Sequence, residues 1–309
     1  MSNPLVSVIM PAYNHEHFIG QSIRSVINQD YDNIELVILN DGSRDRTDEV
    51  IRSLADECRQ RFRRFEYINK ANEGVARTMN QGVMWAQSEY VTSISSDDLM
   101  THNKISSLLP ALVTAGSEVG LAYADADFID DAGQKVYLDW QGRYCDAASG
   151  YDSFIKFYTR KRKDVVLDKN SFDYPVLLRG NFLPGMAMMW RRSVLLKVGI
   201  FTPGIPIEDW DLWLRIAREH QGIYVPTIVA SYRWHASNTV RTSASKLLEG
   251  QDYILLRELQ YVSSQPALAR IAARGLLKNA LHLVLAKRTS LGMSRLCNLT
   301  FWHQALIQG

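Results

Sequence analysis

The chain reads as an α/β protein: a doubly wound, mostly parallel sheet with helices on both faces, followed by a helical appendage at the C-terminal end. Three observations lead there. Strand and helix signals alternate through the first 130 residues, polar residues gather where successive strands end, and beyond residue 243 only helical periodicity remains. Parallel strands need crossover connections, usually helices, so one helix between each pair of strands implies a parallel sheet covered on both sides.

The elements follow in order. Residues 5–10 predict a strand, 19–28 a helix with Ile19, Ile23, Val26 and Ile27 on one face, and 35–39 a second strand. Residues 45–62 predict one helix, 65–68 a strand, 74–86 a helix, and 90–94 a strand rich in apolar and β-branched residues (Val91, Thr92, Ile94). A helix over 103–114 and a strand over 120–129 come next, ending in the turn Asp130-Asp131-Ala132-Gly133. Between 135 and 180 the pattern weakens, and aromatics (Trp140, Tyr144, Tyr151, Phe154, Tyr158, Tyr174) mix with the basic run Arg160-Lys161-Arg162-Lys163. A long segment of this kind inside a compact protein suggests a lid or insertion. Order returns with the apolar run 185–190, a helix over 208–220 and a strand over 222–232; from 243 onward three helices are expected, broken near Pro266 and Gly292.

Composition sets bounds on function. With 309 residues, 46% hydrophobic and 22% charged, the chain can bury a full core. A net charge of only +2 argues against a nucleic-acid binder. The charge is uneven: after Ser245 eight Lys/Arg stand against three Asp/Glu, whereas the first 245 residues carry 27 basic and 30 acidic groups. Cys58, Cys145 and Cys297 lack paired or zinc-like spacing, which points to a reducing compartment. No secretory leader and no run of ~20 apolar residues is visible, so a cytoplasmic protein, or one held peripherally at the inner face of a membrane, is expected.

The chemistry concentrates at strand ends. Asp97-Asp98 follow the strand 90–94, at the crevice where open α/β sheets bind ligands. Adjacent carboxylates there suit Mg²⁺ or Mn²⁺, which draw their other ligands from phosphate oxygens and water. The first strand ends in Pro11-Ala12-Tyr13-Asn14 and the second in Asn40-Asp41-Gly42-Ser43. Neither carries the Gly-x-Gly-x-x-Gly fingerprint, which argues against a nicotinamide dinucleotide; Asp41 could meet a base or ribose, with Tyr13 against the base.

These motifs, taken together with Asn72-Glu73-Gly74-Val75-Ala76-Arg77 and Ser95-Ser96-Asp97-Asp98, resemble in order and spacing the nucleotide-binding half of the inverting glycosyltransferases of family 2. The resemblance continues through residues 185–201, Glu208-Asp209-Trp210-Asp211 and Tyr232-Arg233-Trp234-His235, about three quarters of the chain. It implies a GT-A fold over residues 1–242, with a nucleotide-binding half at 1–130 and an acceptor half at 131–242, and a helical extension at 243–309. It implies, too, transfer from a nucleotide-diphosphate sugar, UDP above dTDP or GDP, to a hydroxyl of a glycan or lipid-linked acceptor, in surface polysaccharide synthesis. Carried over by position, Pro11, Ala12, Tyr13 and Asp41 surround the base, Asp97 meets the ribose, Asp98 holds Mn²⁺ or Mg²⁺, and Asp209 is the general base. Ser95 departs from the commoner Asp and removes one charge from the site.

A physical case for Asp209 stands beside the resemblance. Inverting transfer needs a carboxylate to take the acceptor proton, and Asp209 opens a helix, where the dipole favours the ionised form. Glu208 is the runner-up, and Asp211 with Arg215 reads as an i,i+4 helix pair. His235 is a further candidate for the metal or the diphosphate, and Trp210 for stacking on an acceptor sugar, with core packing the alternative for Trp210 and Trp213. Alternation puts Asp125 and Asp127 on one strand face, which suggests a solvated face or an acceptor contact. His15 and His17, two apart in a loop, could contact substrate but are expected to face solvent. Arg270, Arg274 and Lys278 form a basic stripe that could lie on an anionic bilayer or stay in water, and an oligomer is allowed. The rival readings are an inactive sugar-nucleotide sensor or scaffold on the same fold, and a nucleotidyltransferase, against which the absence of a Gly-rich triphosphate loop counts.

Overall fold

The computed structural model describes residues 3–167, 172–286 and 288–296. Strand β1 (Val6–Ala12) is joined by α1 (Ile19–Ile27) to β2 (Ile34–Asp41), which leads through α2 (Thr47–Ser53) and α3 (Ala55–Arg61) to β3 (Arg64–Lys70). Helix α4 (Val75–Trp85) returns to β4 (Tyr90–Ser93), followed by β5 (Leu99–Met100), α5 (Lys104–Thr114) and β6 (Val119–Ile129). Then come β7 (Lys135–Leu138), β8 (Tyr144–Cys145), α6 (Phe154–Thr159), α7 (Tyr174–Leu177), β9 (Met188–Arg191) and α8 (Arg192–Val198). The chain continues through α9 (Glu208–Ala217), β10 (Gln221–Arg233), α10 (Thr239–Thr242), α11 (Ala244–Tyr261), α12 (Pro266–Leu285) and α13 (Thr289–Leu296).

The sheet order is β3-β2-β1-β4-β9-β6-β10-β5, with β7 and β8 added beside β6. The first four strands are parallel, as their crossover helices require, and β6 pairs in parallel with β10. Strand β9 lies antiparallel between β4 and β6, a reversal that alternation of strand and helix signals does not reveal. All eight residues of β2 are buried, the near-continuous run expected of a strand covered on both faces. One face packs Val8, Met10, Leu36 and Ile38 under α1 and α5 through Ile19, Ile23, Ile105 and Leu108. The other packs Ile9, Val37, Val91 and Trp190 against Val83 of α4 and Trp213 of α9.

Three expectations change. The single helix over 45–62 is two, because Leu54, at φ −102° and ψ 0°, ends α2 and starts α3 while staying buried with Ile51 and Cys58. The weakly patterned stretch after residue 135 holds short elements: β7 pairs with β6 and β8, and α6 packs Phe157 with Phe128, Leu138 and Trp234. Elements of two to six residues are too short to show a period. The second break in the C-terminal helices falls between Leu285 and Thr289 instead of at Gly292. Gly292 lies inside α13 where a Cβ would meet Val284 Cγ2 at 2.7 Å and the Ala280 carbonyl at 2.8 Å, so it permits close approach of α12. Helices α11 and α12 share one core with α9 through Ile254, Leu255, Ala272 and Leu276. Cys58 and Cys145 are free thiols, burial pushing Cys58 up to about 12, and Cys297 lies outside the described residues. Among the described residues no helix is long and apolar enough to cross a membrane.

Candidate active site

In-register pairing sets the ends of β1, β2 and β4 along one edge: Ala12 stands opposite Asn40, and Ile9 opposite Ser93. The loops that leave this edge hold one another. Asn14, in the left-handed region at φ 53°, receives the Arg44 backbone N–H on its side-chain oxygen and donates its own N–H to Ser43 Oγ. Gly42 turns at φ +71°, where a Cβ would come 2.7 Å from the Asn72 nitrogen. Pro11 and Ala12 line this edge, and Tyr13 stands 43% exposed beyond it. Asp41 is buried: Oδ1 accepts from Lys70 Nζ at 2.6 Å and the Glu73 N–H at 2.9 Å, and Oδ2 accepts the Gly74 N–H at 2.8 Å. Burial works to raise its carboxyl, but these donors outweigh it and hold the pKa below the usual range. Oδ2, with one donor, retains acceptor capacity.

The adjacent aspartates part company where the chain leaves β4. Asp98 points inward, where Oδ1 accepts the Arg233 N–H at 2.9 Å. Burial first, then the charge of Asp97, lifts its carboxyl well above the ordinary value. Asp97 turns the other way: its Oδ2 lies 3.2 Å from His235 Nε2 and 3.7 Å from His15 Nε2. Burial opposes the ionised form, yet the hydrogen bond with His235 and the two imidazoles hold its pKa down. One ligand atom from each of His15, Asp97 and His235 lies within 4.8 Å of the others. The carboxylate that faces candidate metal ligands is thus Asp97 and not Asp98.

Both rings are braced from behind. His15 Nδ1 lies 2.7 Å from Ser96 Oγ and His235 Nδ1 2.7 Å from Ser237 Oγ, which turns each Nε2 toward Asp97. Phe18 packs on His235 at 5.1 Å, and burial lowers the His15 pKa, keeping it neutral as a ligand must be. His15, expected at the surface, is the residue that sequence reasoning missed; only its placement two residues before the exposed His17 hinted at it. Arg233, fully buried, braces the loops by donating to the carbonyls of Asp97, Asp130 and Asp131.

The first turn of α9 presents Glu208 and Asp209, both half-buried. Asp209 Oδ2 accepts from Asn181 Nδ2 at 3.0 Å and Oδ1 accepts the Trp210 N–H at 2.6 Å. Burial raises its pKa against these two donors. Glu208, raised by burial and then by Asp209 and Asp211, is pushed up to about 8. Burial first, then the neighbouring Tyr158 and the charges of Asp98, Asp97 and Asp209, lifts the Tyr232 phenol well above its ordinary value.

Trp210 is core, not acceptor platform: it is 2% exposed and donates its Nε1–H to the Leu177 carbonyl at 2.9 Å. Trp213 stacks on Trp190 at 5.7 Å. Asp211 pairs with Arg215 at 3.0 Å and also meets Arg257 of α11. Arg257 then pairs with Glu258 at 2.8 Å, and Glu258 accepts from Tyr174 Oη at 2.7 Å and Arg218 at 2.6 Å. Asp125 is not solvated, since it is buried and caps the start of α6 by accepting the Ile155 N–H at 3.0 Å. Asp127 lies 3.9 Å from Lys135 Nζ, and burial raises both carboxyls.

Comparison with known proteins adds three findings. The family model described as Glycosyl transferase family 2 matches residues 7–174. An uncharacterized glycosyltransferase of Haemophilus influenzae is 30% identical over 219 residues, 71% of this chain and 74% of that protein. Among solved structures, S. aureus TarS 1-349 in complex with UDP-GlcNAc aligns with a TM-score of 0.62 over 98% of this chain and 79% of that one. The mannosyltransferase PcManGT of Pyrobaculum calidifontis, in complex with GDP-Man and Mn²⁺, aligns at 0.60 over 99% and 86%. Each structure is 16% identical to this chain, a likeness of fold, and it agrees with the GT-A architecture expected from the motifs.

Proposed function

Because the chain belongs to glycosyl transferase family 2, we propose that it transfers a sugar with inversion from a nucleotide-diphosphate sugar to an acceptor hydroxyl on a glycan or lipid-linked saccharide. The observation that carries this reading is Asp97 set against two braced imidazoles, with Asp209, at the start of α9, acting on the same Tyr232 phenol as Asp97. The donor is a UDP-sugar on family grounds; the UDP-GlcNAc bound to TarS supports it, and the GDP-Man bound to PcManGT makes GDP the comparison to run.

The donor set fits a divalent cation. Two imidazole nitrogens and one carboxylate oxygen converge, and imidazole ligation favours Mn²⁺ over Mg²⁺, which prefers oxygen ligands. Asp97, His235 and His15 would hold the ion, and when bound it supplies neutralisation of the departing diphosphate. Tyr13 offers its exposed ring to the base and Asp41 its remaining acceptor capacity to a base N–H. Asp209, held by the Asn181 and Trp210 donors, accepts the acceptor hydroxyl's proton as oxygen attacks the anomeric carbon and the bond to the diphosphate breaks. Asn181 fixes the carboxylate's direction. Free Cys58 and Cys145 support a reducing compartment, the cytoplasm.

Asp209→Asn tests the base. Turnover should fall by roughly 10² to 10⁴ with binding of the UDP-sugar intact. Near-normal turnover would transfer the role to Glu208.

A further inference from the structure

We propose that the outer face of α12 docks on an anionic lipid bilayer, lying along it with the C-terminal half of the helix set among the headgroups. One side of α12 packs inward through Ala269, Ala272, Ala273, Leu276, Ala280 and Leu283. The opposite side leaves Leu277, Leu281 and Leu285 exposed by 37%, 51% and 79%, at four-residue spacing and so in one ridge along the helix. Arg270, Arg274 and Lys278 occupy the same face nearer its N-terminal end, with Arg274, Lys278 and His282 exposed beside the leucines.

Charge decides what covers this ridge. Helix α12 contains no Asp or Glu. The three acidic residues of the extension are already occupied: Glu249 by Arg288 at 2.9 Å, Asp252 by Arg295 at 3.0 Å, and Glu258 by Arg257 and Arg218. Among the described residues no carboxylate pairs with Arg270, Arg274 or Lys278, so the ridge is flanked by uncompensated positive charge. A second copy presenting the same face would meet like charge, which disfavours self-association there. An anionic headgroup layer complements it, and the Lys and Arg stems can lie along apolar surface while their heads reach the phosphates.

The test is sedimentation of the full chain with vesicles of 40% phosphatidylglycerol in phosphatidylcholine and with pure phosphatidylcholine vesicles. Wild type should bind the anionic vesicles at least tenfold more tightly than the neutral ones. Leu281→Ser/Leu285→Ser and Arg274→Gln/Lys278→Gln should each weaken that binding tenfold or more, with the thermal midpoint and metal-dependent hydrolysis of the UDP-sugar unchanged. Absence of wild-type binding to anionic vesicles, equal binding by the variants, or a wild-type dimer that the leucine variant converts to monomer would overturn the proposal, the last in favour of a second copy.

Discussion

Asp97 and Asp98 are neighbours in sequence with opposite environments, and chemistry at the site turns on that difference. Asp97 meets two imidazoles, whereas Asp98 is enclosed beside the Arg233 N–H and within the field of buried Lys104, whose amine is pushed down to about 7 by burial. Asp97→Asn should therefore weaken Mn²⁺-dependent UDP binding at least tenfold in titration calorimetry. Asp98→Asn keeps an oxygen for the Arg233 N–H and should hold that affinity within about threefold, ~0.65 kcal/mol. The reverse order would return the metal to Asp98. Glu208 gives a pH prediction. Its folded pKa, about 8, lies above the ordinary 4.5, so its contribution is full below pH 4.5 and is lost as pH rises toward 8. Glu208→Gln, which cannot ionise, should match wild type at pH 4.5 in chemical denaturation and exceed it at pH 8; equal stability at both would mean that Glu208 is solvated. The pair Asp97-Asp98 was legible in sequence, but its orientation was not, because the turn from Ser95 to Asp98 sets which carboxylate faces outward.

At the scale of elements, the base is held by segments far apart in the chain. Leu177 accepts from Trp210, Asn181 donates to Asp209, and Tyr174 and Arg218 converge on Glu258 of α11, so α7, α9 and α11 act as one unit. Asp211 and Glu258 are fully buried and Arg257 bridges them. Asp211 keeps Arg215 and Glu258 keeps Arg218, so Arg257→Met should be destabilising in urea unfolding at pH 7 by less than the roughly 3–5 kcal/mol of a buried charge left with no partner. Adding Asp211→Asn should recover part of that loss; strict additivity of the two would show that Arg257 and Asp211 do not interact. The long strands and helices were readable from periodicity, whereas the hairpin β7–β8, α6 and α7 were not. They are held by contacts to distant residues, such as Phe157 against Trp234 at 5.8 Å, instead of by a local repeat.

For the whole molecule, a ligand that binds only the folded state raises its stability, by about 2.7 kcal/mol at 100 times Kd. Mn²⁺ should accordingly raise the thermal midpoint, EDTA should reverse the rise, and His15→Ala should diminish it. Since burial lowers the His15 pKa from 6.5 and Asp97 is held low as well, the rise should persist somewhat below pH 6.5 and disappear as His15 protonates. A midpoint indifferent to Mn²⁺ at pH 7.5 would remove the metal from the His15, Asp97 and His235 cluster. By itself the sequence determined the α/β class, the parallel first half, the strand ends that carry Tyr13, Asp41 and Asp97, and the helix that begins at Glu208, because period, turn chemistry and motif order are local properties. Only the tertiary structure decided the antiparallel β9, the burial of Asp98 and Trp210, the arrival of His15 beside His235, and the clasp of α11 on α9. Each of these depends on which surfaces meet between segments distant in the chain, from 33 residues for Leu177 and Trp210 to 138 for Asp97 and His235, and there burial and partner donors, not the residue's own type, fix its direction and charge.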